Sequence, residues 1–159
     1  MNYFELFEIP VSLQIDKATL AQKYFDLQKK YHPDFFAKGT EYEQAEALEI
    51  SSQLNKALQV LKNQDLTIKY VLQLKQLLEE EEKYKLPPDF LMEMMELNED
   101  LGEDSAKQIQ DLENQLYTEV KPIIENYNDT TVSHAELLQL KEYYYKKKYL
   151  QRILDRLEG

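Results

Sequence analysis

A chain of 159 residues with only three glycines, no cysteine and a net charge of −11 is long enough for one domain or two small ones, and its wealth of Leu, Glu, Lys and Gln favours helices. Without cysteine there is no disulfide, thiolate zinc site or cysteine-held cluster, and two histidines roughly a hundred positions apart argue against a His-based metal site. The acidity argues against general nucleic-acid affinity, and MNYFELFEIP shows no signal-peptide pattern and no later run could span a bilayer, so a soluble, cytoplasmic protein with no membrane partner is expected.

Asn2 can cap a short first helix over residues 3–7, which Pro10 ends. Asp16 is a candidate N-cap for a second helix reaching Tyr31, in which Leu20, Tyr24, Leu27 and Tyr31 repeat at helical spacing as a core stripe. Lys23, Asp26, Lys29 and Lys30 lie roughly opposite, on the solvent face. Pro33 lacks an N–H and drives His32 out of the α region, so the helix stops at His32-Pro33-Asp34. The result is a His and an Asp at a helix end, next to a basic face. Gly39 marks a turn, and Thr40 with Glu43 has capping-box spacing. A third helix to about residue 62 buries Ala47, Ile50, Leu54, Leu58 and Leu61. A fourth is predicted over 66–78.

Charge then shifts abruptly. Residues 1–78 hold nine lysines against ten acids, whereas residues 79–104 hold eleven acids against two lysines. Residues 79–88, a charge run ending in Leu86-Pro87-Pro88, read as a linker between units 1–78 and 89–159, because a double proline cannot continue a helix. Asp89 is a candidate cap for a fifth helix to about Leu101, closed by Gly102. Ser105 with Gln108 opens a sixth to about residue 127, and Ser133 with Glu136 a seventh through Leu157. Three consecutive helices on short turns make a bundle. The fold class is all-α: a helical hairpin with short flanking helices, followed by a C-terminal three-helix bundle.

Two surfaces could carry function. His32 as a general base lacks a nucleophile, a phosphate-binding glycine loop or a nucleophile elbow to work with. A protein contact fits it better, the basic face offering docking to an acidic partner. On the fifth helix Phe90, Met94, Leu97 and Leu101 cluster within about 60° as a core stripe. Leu91, Met92 and Met95 fall on a second face with Glu96, Glu99 and Glu103. Leu and Met rimmed by Glu form an adaptable, electronegative binding surface, a reading the pattern favours over packing between two neighbours. The run Lys146-Lys147-Lys148 reads as solvated or intramolecular, and His134 as a surface residue.

With those residues identified, the chain resembles the HscB-type J-domain co-chaperones of iron–sulfur cluster assembly over essentially its whole length. The segments NYFELFEIP, QKYFDLQKKYHPD, LNKALQVLKN and IKYVLQL resemble a J domain over residues 1–78. YFELF and DFLMEMMELNEDL narrow the likeness to the HscB kind. The resemblance implies a protein with no enzymatic activity or cofactor of its own, which stimulates the ATPase of an HscA-type heat-shock chaperone. His32, Pro33 and Asp34 would be essential there, with Lys23, Lys29 and Lys30 as the docking face. It also implies a bundle, 89–159, that binds an IscU-type scaffold protein through Leu91, Met92, Met95, Glu96, Glu99, Glu103 and Tyr149. A general J-domain protein delivering unfolded clients is the alternative. The chain departs from the pattern at Phe35-Phe36, where many J domains place a basic residue.

Overall fold

In a computed structural model of the chain, residues 1–99 and 101–158 are described. Among them all regular structure is helical: α1 Tyr3–Leu6, α2 Lys17–Tyr31, a 3-10 turn Pro33–Phe36, α3 Glu41–Leu61, α4 Gln64–Leu74, α5 Pro88–Glu99, α6 Ser105–Glu125 and α7 His134–Glu158. The chain divides into two compact units, Met1–Val71 and Leu72–Gly159.

In the first unit, local cap chemistry sets the helix starts. Asn2 and Glu5 form a reciprocal capping box on α1, and the Asp16 carboxylate accepts from the Thr19 N–H at 2.9 Å and hydroxyl at 2.7 Å. α1 closes with Glu8 in the left-handed region, φ 56°, while Ile9 N–H reaches Phe4 O at 3.0 Å, the double bond pattern of a Schellman end. Phe4, Phe7, Leu13, Leu20, Leu54, Ala57 and Leu61 are buried. Of the predicted α2 stripe, Leu20 is fully buried and Tyr24, Leu27 and Tyr31 half-buried.

α2 packs along α3, and a polar layer crosses their seam. Tyr24 Oη donates to Asn55 Oδ1. The Gln28 amide donates to Asn55 Oδ1 at 3.0 Å and accepts from Ser51 Oγ at 2.9 Å. Every member thereby has a partner, the condition under which a part-buried polar group is not a liability.

α4 ends four residues before the predicted limit. Gln76 takes φ 61°, Gln76 N–H bonds Gln73 O at 3.0 Å and Leu77 N–H bonds Leu72 O at 2.9 Å, a second Schellman end built without glycine. Its start is two residues earlier than predicted, because Asn63 caps it, Oδ1 accepting from Leu66 N–H at 3.1 Å.

The second unit is the three-helix bundle. Phe90 and Met94 of α5, Ile109 of α6, and Leu150 and Ile153 of α7 form its core, with Leu97, Leu112, Leu116 and Tyr149 packed around them. Three local expectations are corrected. Pro88, not Asp89, begins α5, since proline fits the first helical position where an N–H has no intrahelical partner, and Asp89 lies in the first turn. Ser105 is not the cap of α6 but its first residue, buried, with its Oγ turned back to accept from Gly102 N–H at 2.7 Å. Leu101 does not extend the α5 core stripe: it is exposed and follows the end of the helix at Glu99, and Asp100 between them lies outside the described residues.

The segment read as a linker is tied down to this unit. Lys141 Nζ lies 2.6 Å from Glu82 Oε2, Tyr84 stacks on Tyr145 with ring centroids 4.4 Å apart, and Leu86 packs against the bundle core. Partial burial pushes the Glu82 carboxyl up, but hydrogen bonds from Lys141 and the Glu79 N–H outweigh it and hold the pKa below its ordinary 4.5. A carboxyl lowered in the folded state contributes stability that is full above the unfolded value and lost as pH falls through the folded one. Protection of the amides in residues 79–86, taken relative to their intrinsic exchange rates, should therefore fall on acidification below about pH 4.5, and Glu82→Gln should be less protected than wild type at neutral pH and flatten that response.

Candidate functional site

The tripeptide of the first unit sits where helix chemistry forces a turn. His32 is extended, φ −61° and ψ 132°, as the residue before a proline must be. Pro33 then opens the 3-10 turn. Asp34 N–H donates to His32 Nδ1 at 3.2 Å. An Nδ1 that accepts a hydrogen bond leaves the ring proton of a neutral imidazole on Nε2. Asp34 Oδ2 lies 3.6 Å from Nδ1, and the two side chains are 50% and 89% exposed, so both are open to a partner. The turn is held from behind: Gly39 N–H bonds Phe36 O at 2.9 Å, and the Gln44 amide of α3 donates to Ala37 O at 3.0 Å. A Cβ on Gly39 would sit 3.2 Å from Phe36 O, a close approach suited to glycine.

Of the three lysines, Lys29 and Lys30 are exposed, and among the described residues neither pairs with a carboxylate. Lys30 Nζ stands 5.2 Å from the Tyr31 ring centroid. Lys23 departs from the solvent-face expectation: it is half-buried and donates to Glu8 O at 3.2 Å, drawn there by the carbonyl at the left-handed end of α1. Two further rings stand exposed near the tripeptide, outside the set expected from the sequence. Phe25 is 62% and Phe35 66% exposed. Their signal was present, since Phe25, Lys29 and His32 follow one another at i, i+4 and i+7, away from the Leu20 stripe.

In the second unit, Phe90 and Met94 are buried and Leu97 half-buried, whereas Leu91 is 37%, Met92 64% and Met95 59% exposed. The two predicted faces of α5 therefore separate by burial. Glu96 and Glu99 are exposed beside the methionines. Glu96 also lines an open groove of about 460 Å³ between α5 and α6, with Glu93 and Asp111. Glu103, expected on the same helix face, stands in the turn after α5, exposed. Tyr149 is half-buried on α7, meeting Phe90 edge-on at 6.1 Å. The lysine run serves local contacts: Lys146 Nζ lies 3.5 Å from Glu142 Oε1 and 5.3 Å from the Phe90 ring centroid. Among the described residues no group of three potential ligands could hold a metal ion, and no helix is long and apolar enough to cross a membrane.

A family model described as the HSCB C-terminal oligomerisation domain matches residues 86–158. A Co-chaperone protein HscB homolog of Shewanella halifaxensis is 34% identical over 170 residues, covering 99% of this chain and 95% of that protein. Another from Vibrio cholerae is 38% identical over 107 residues, 67% of this chain and 63% of its own length. Among solved structures, the chaperone HscB from Vibrio cholerae aligns at a TM-score of 0.65 with 27% identity, covering 99% of each chain. The human co-chaperone protein HscB shares the fold at a TM-score of 0.79 and 24% identity, over 99% of this chain and 81% of that one.

Proposed function

This chain belongs to the HscB family of co-chaperones, and on that premise we propose that it binds an IscU-type scaffold, delivers it to an HscA-type heat-shock chaperone in the cytoplasm, and stimulates that chaperone's ATPase without being an enzyme itself. The observation that carries the reading is the turn at the end of α2, where His32 and Asp34 stand exposed beside Lys29 and Lys30, which are exposed and pair with no carboxylate among the described residues. His32 and Asp34 hold each other and project to solvent, an arrangement suited to a protein contact. General-base chemistry works best in a pocket. The exposed Leu91–Met92–Met95 face of α5, rimmed by Glu96 and Glu99, supports the scaffold-binding half of the proposal, with Tyr149 and Glu103 as flanking contacts.

Recovery from a native extract tests the whole reading: a tagged chain should retain both a heat-shock ATPase and a small scaffold protein. Retention of assorted unfolded clients and no scaffold would favour the general J-domain alternative.

The basic face gives a narrower test. Replacing Lys29 and Lys30 with Ala should change stability by about 0.5 kcal/mol or less, both being exposed. It should slow association with the chaperone, an effect that added salt reproduces on the wild type. Association rates measured across a salt series would check this, and rates indifferent to salt would count against the electrostatic dock.

A further inference from the structure

Two large aromatic side chains stand in water on either side of the tripeptide, and nothing in the first unit's own packing explains them. Phe25 is 62% exposed on α2, one turn before Lys29, and Phe35 is 66% exposed in the 3-10 turn. The Phe35 backbone is fixed by its N–H bonding His32 O at 3.0 Å, and its ring meets the imidazole edge-on at 6.2 Å and 79°. Phe25, Lys29 and His32 lie on one face of the helix by their i, i+4, i+7 spacing, and Phe35 adjoins His32 through its ring contact just past the helix end. The order along the chain is apolar, cationic, His, apolar.

We propose that Phe25 and Phe35 are apolar anchors of the surface through which the chain docks on its ATPase partner, bracketing Lys29 and His32. The inference rests on the co-chaperone reading above and deepens it: the partner surface must offer not only carboxylates for Lys29 and Lys30 but apolar hollows for two rings. Aromatic side chains are the residue type that most often dominates a protein contact, because they bury much area at little entropic cost. Charges around such anchors steer the encounter and set its salt dependence, while the buried rings govern how long the complex lasts. The docking surface therefore has a component that salt does not screen.

The test compares Phe25→Ala/Phe35→Ala, Phe25→Leu/Phe35→Leu, Lys29→Ala/Lys30→Ala and His32→Gln in the full chain. Steady-state ATPase of an HscA-type chaperone is titrated with each variant over a salt series, with circular dichroism as the folding control. The double Ala variant should need about tenfold or more protein for half-maximal stimulation at every salt concentration, with the maximum retained at saturation. The double Leu variant, which keeps part of the apolar area but not the rings, should fall between wild type and the double Ala variant, and the lysine variant should lose most at low salt. Half-saturation within about twofold of wild type for the folded double Ala variant would overturn the proposal. So would a fall in maximal stimulation with half-saturation unchanged, since Phe35 would then only orient His32. If the rings instead bind a second copy, sedimentation will show a wild-type dimer that the Ala variant dissociates, with ATPase stimulation unchanged, and the proposal fails. Stimulation that is lost in His32→Gln but untouched by the Phe variants rejects the anchors alone. No stimulation by the wild type rejects the co-chaperone reading and the anchors with it.

Discussion

His32→Gln should abolish stimulation of the chaperone's ATPase while leaving the fold intact. The imidazole is half exposed, and its contacts are local: the hydrogen bond from Asp34 N–H, the nearby Asp34 carboxylate and the edge of Phe35. Losing one exposed hydrogen bond costs about 0.5–1.5 kcal/mol at most, so thermal melts followed by circular dichroism should shift little. What disappears is a half-exposed planar ring whose Nδ1 accepts from the Asp34 N–H. Gln can present an amide but not that geometry. Asp34→Asn should act similarly, since it keeps the shape of the turn and removes the charge. Full stimulation by either variant would show that the turn is not the point of contact.

The two faces of α5 should respond to mutation in opposite currencies. Met94 is fully buried in the bundle core, so Met94→Ala should cost about 2–5 kcal/mol of stability. Leu97 is only half-buried, and its truncation should cost less than Met94's. Met92 and Met95 are 64% and 59% exposed, so replacing both with Ala should cost little stability. It should nonetheless weaken scaffold binding by at least about 2 kcal/mol, roughly thirtyfold, if they are central anchors. The double variant should still stimulate the chaperone alone and lose only the scaffold-dependent enhancement. Thermal melts, titration calorimetry with the scaffold and ATPase assays with and without it separate these outcomes. A double variant that melts like Met94→Ala, or that binds scaffold as tightly as wild type, would assign the methionines to packing.

Much of this could be read from the residues because much of it is local. A cap reaches three residues along the chain, and Asn2 with Glu5, Asp16 with Thr19, and Ser133 with Glu136 form as their spacing predicts. The stop at His32 is equally local, set by one proline ring. The second stripe of α5 was legible because a bundle helix buries one side and the pattern had two. The illegible parts lack a one-letter signature. Glu8 and Gln76 adopt the left-handed conformation without being glycine, so nothing announced the end of α4 at Leu74. Ser105 has the composition of a cap, yet its hydroxyl turns to Gly102 because the residue is drawn inside the bundle. The tethering of 79–88 depends on Lys141 and Tyr145, some sixty positions away, which no local pattern of acids and prolines reveals.

The polar layer between α2 and α3 acts as an index mark on the hairpin. An apolar seam of Leu and Tyr alone could slide by a turn at modest cost, trading one greasy contact for another. Tyr24, Gln28, Ser51 and Asn55 match donors to acceptors in one alignment, and a slip would strand a part-buried amide. From Gln28 to His32 the chain then advances four residues, a single helical turn, so the tripeptide's height and bearing are measured off from that mark. One residue inserted within that turn would swing the tripeptide about 100° around the helix axis. The hairpin is thus a rule with a zero point, and the end that meets the partner is the graduated one.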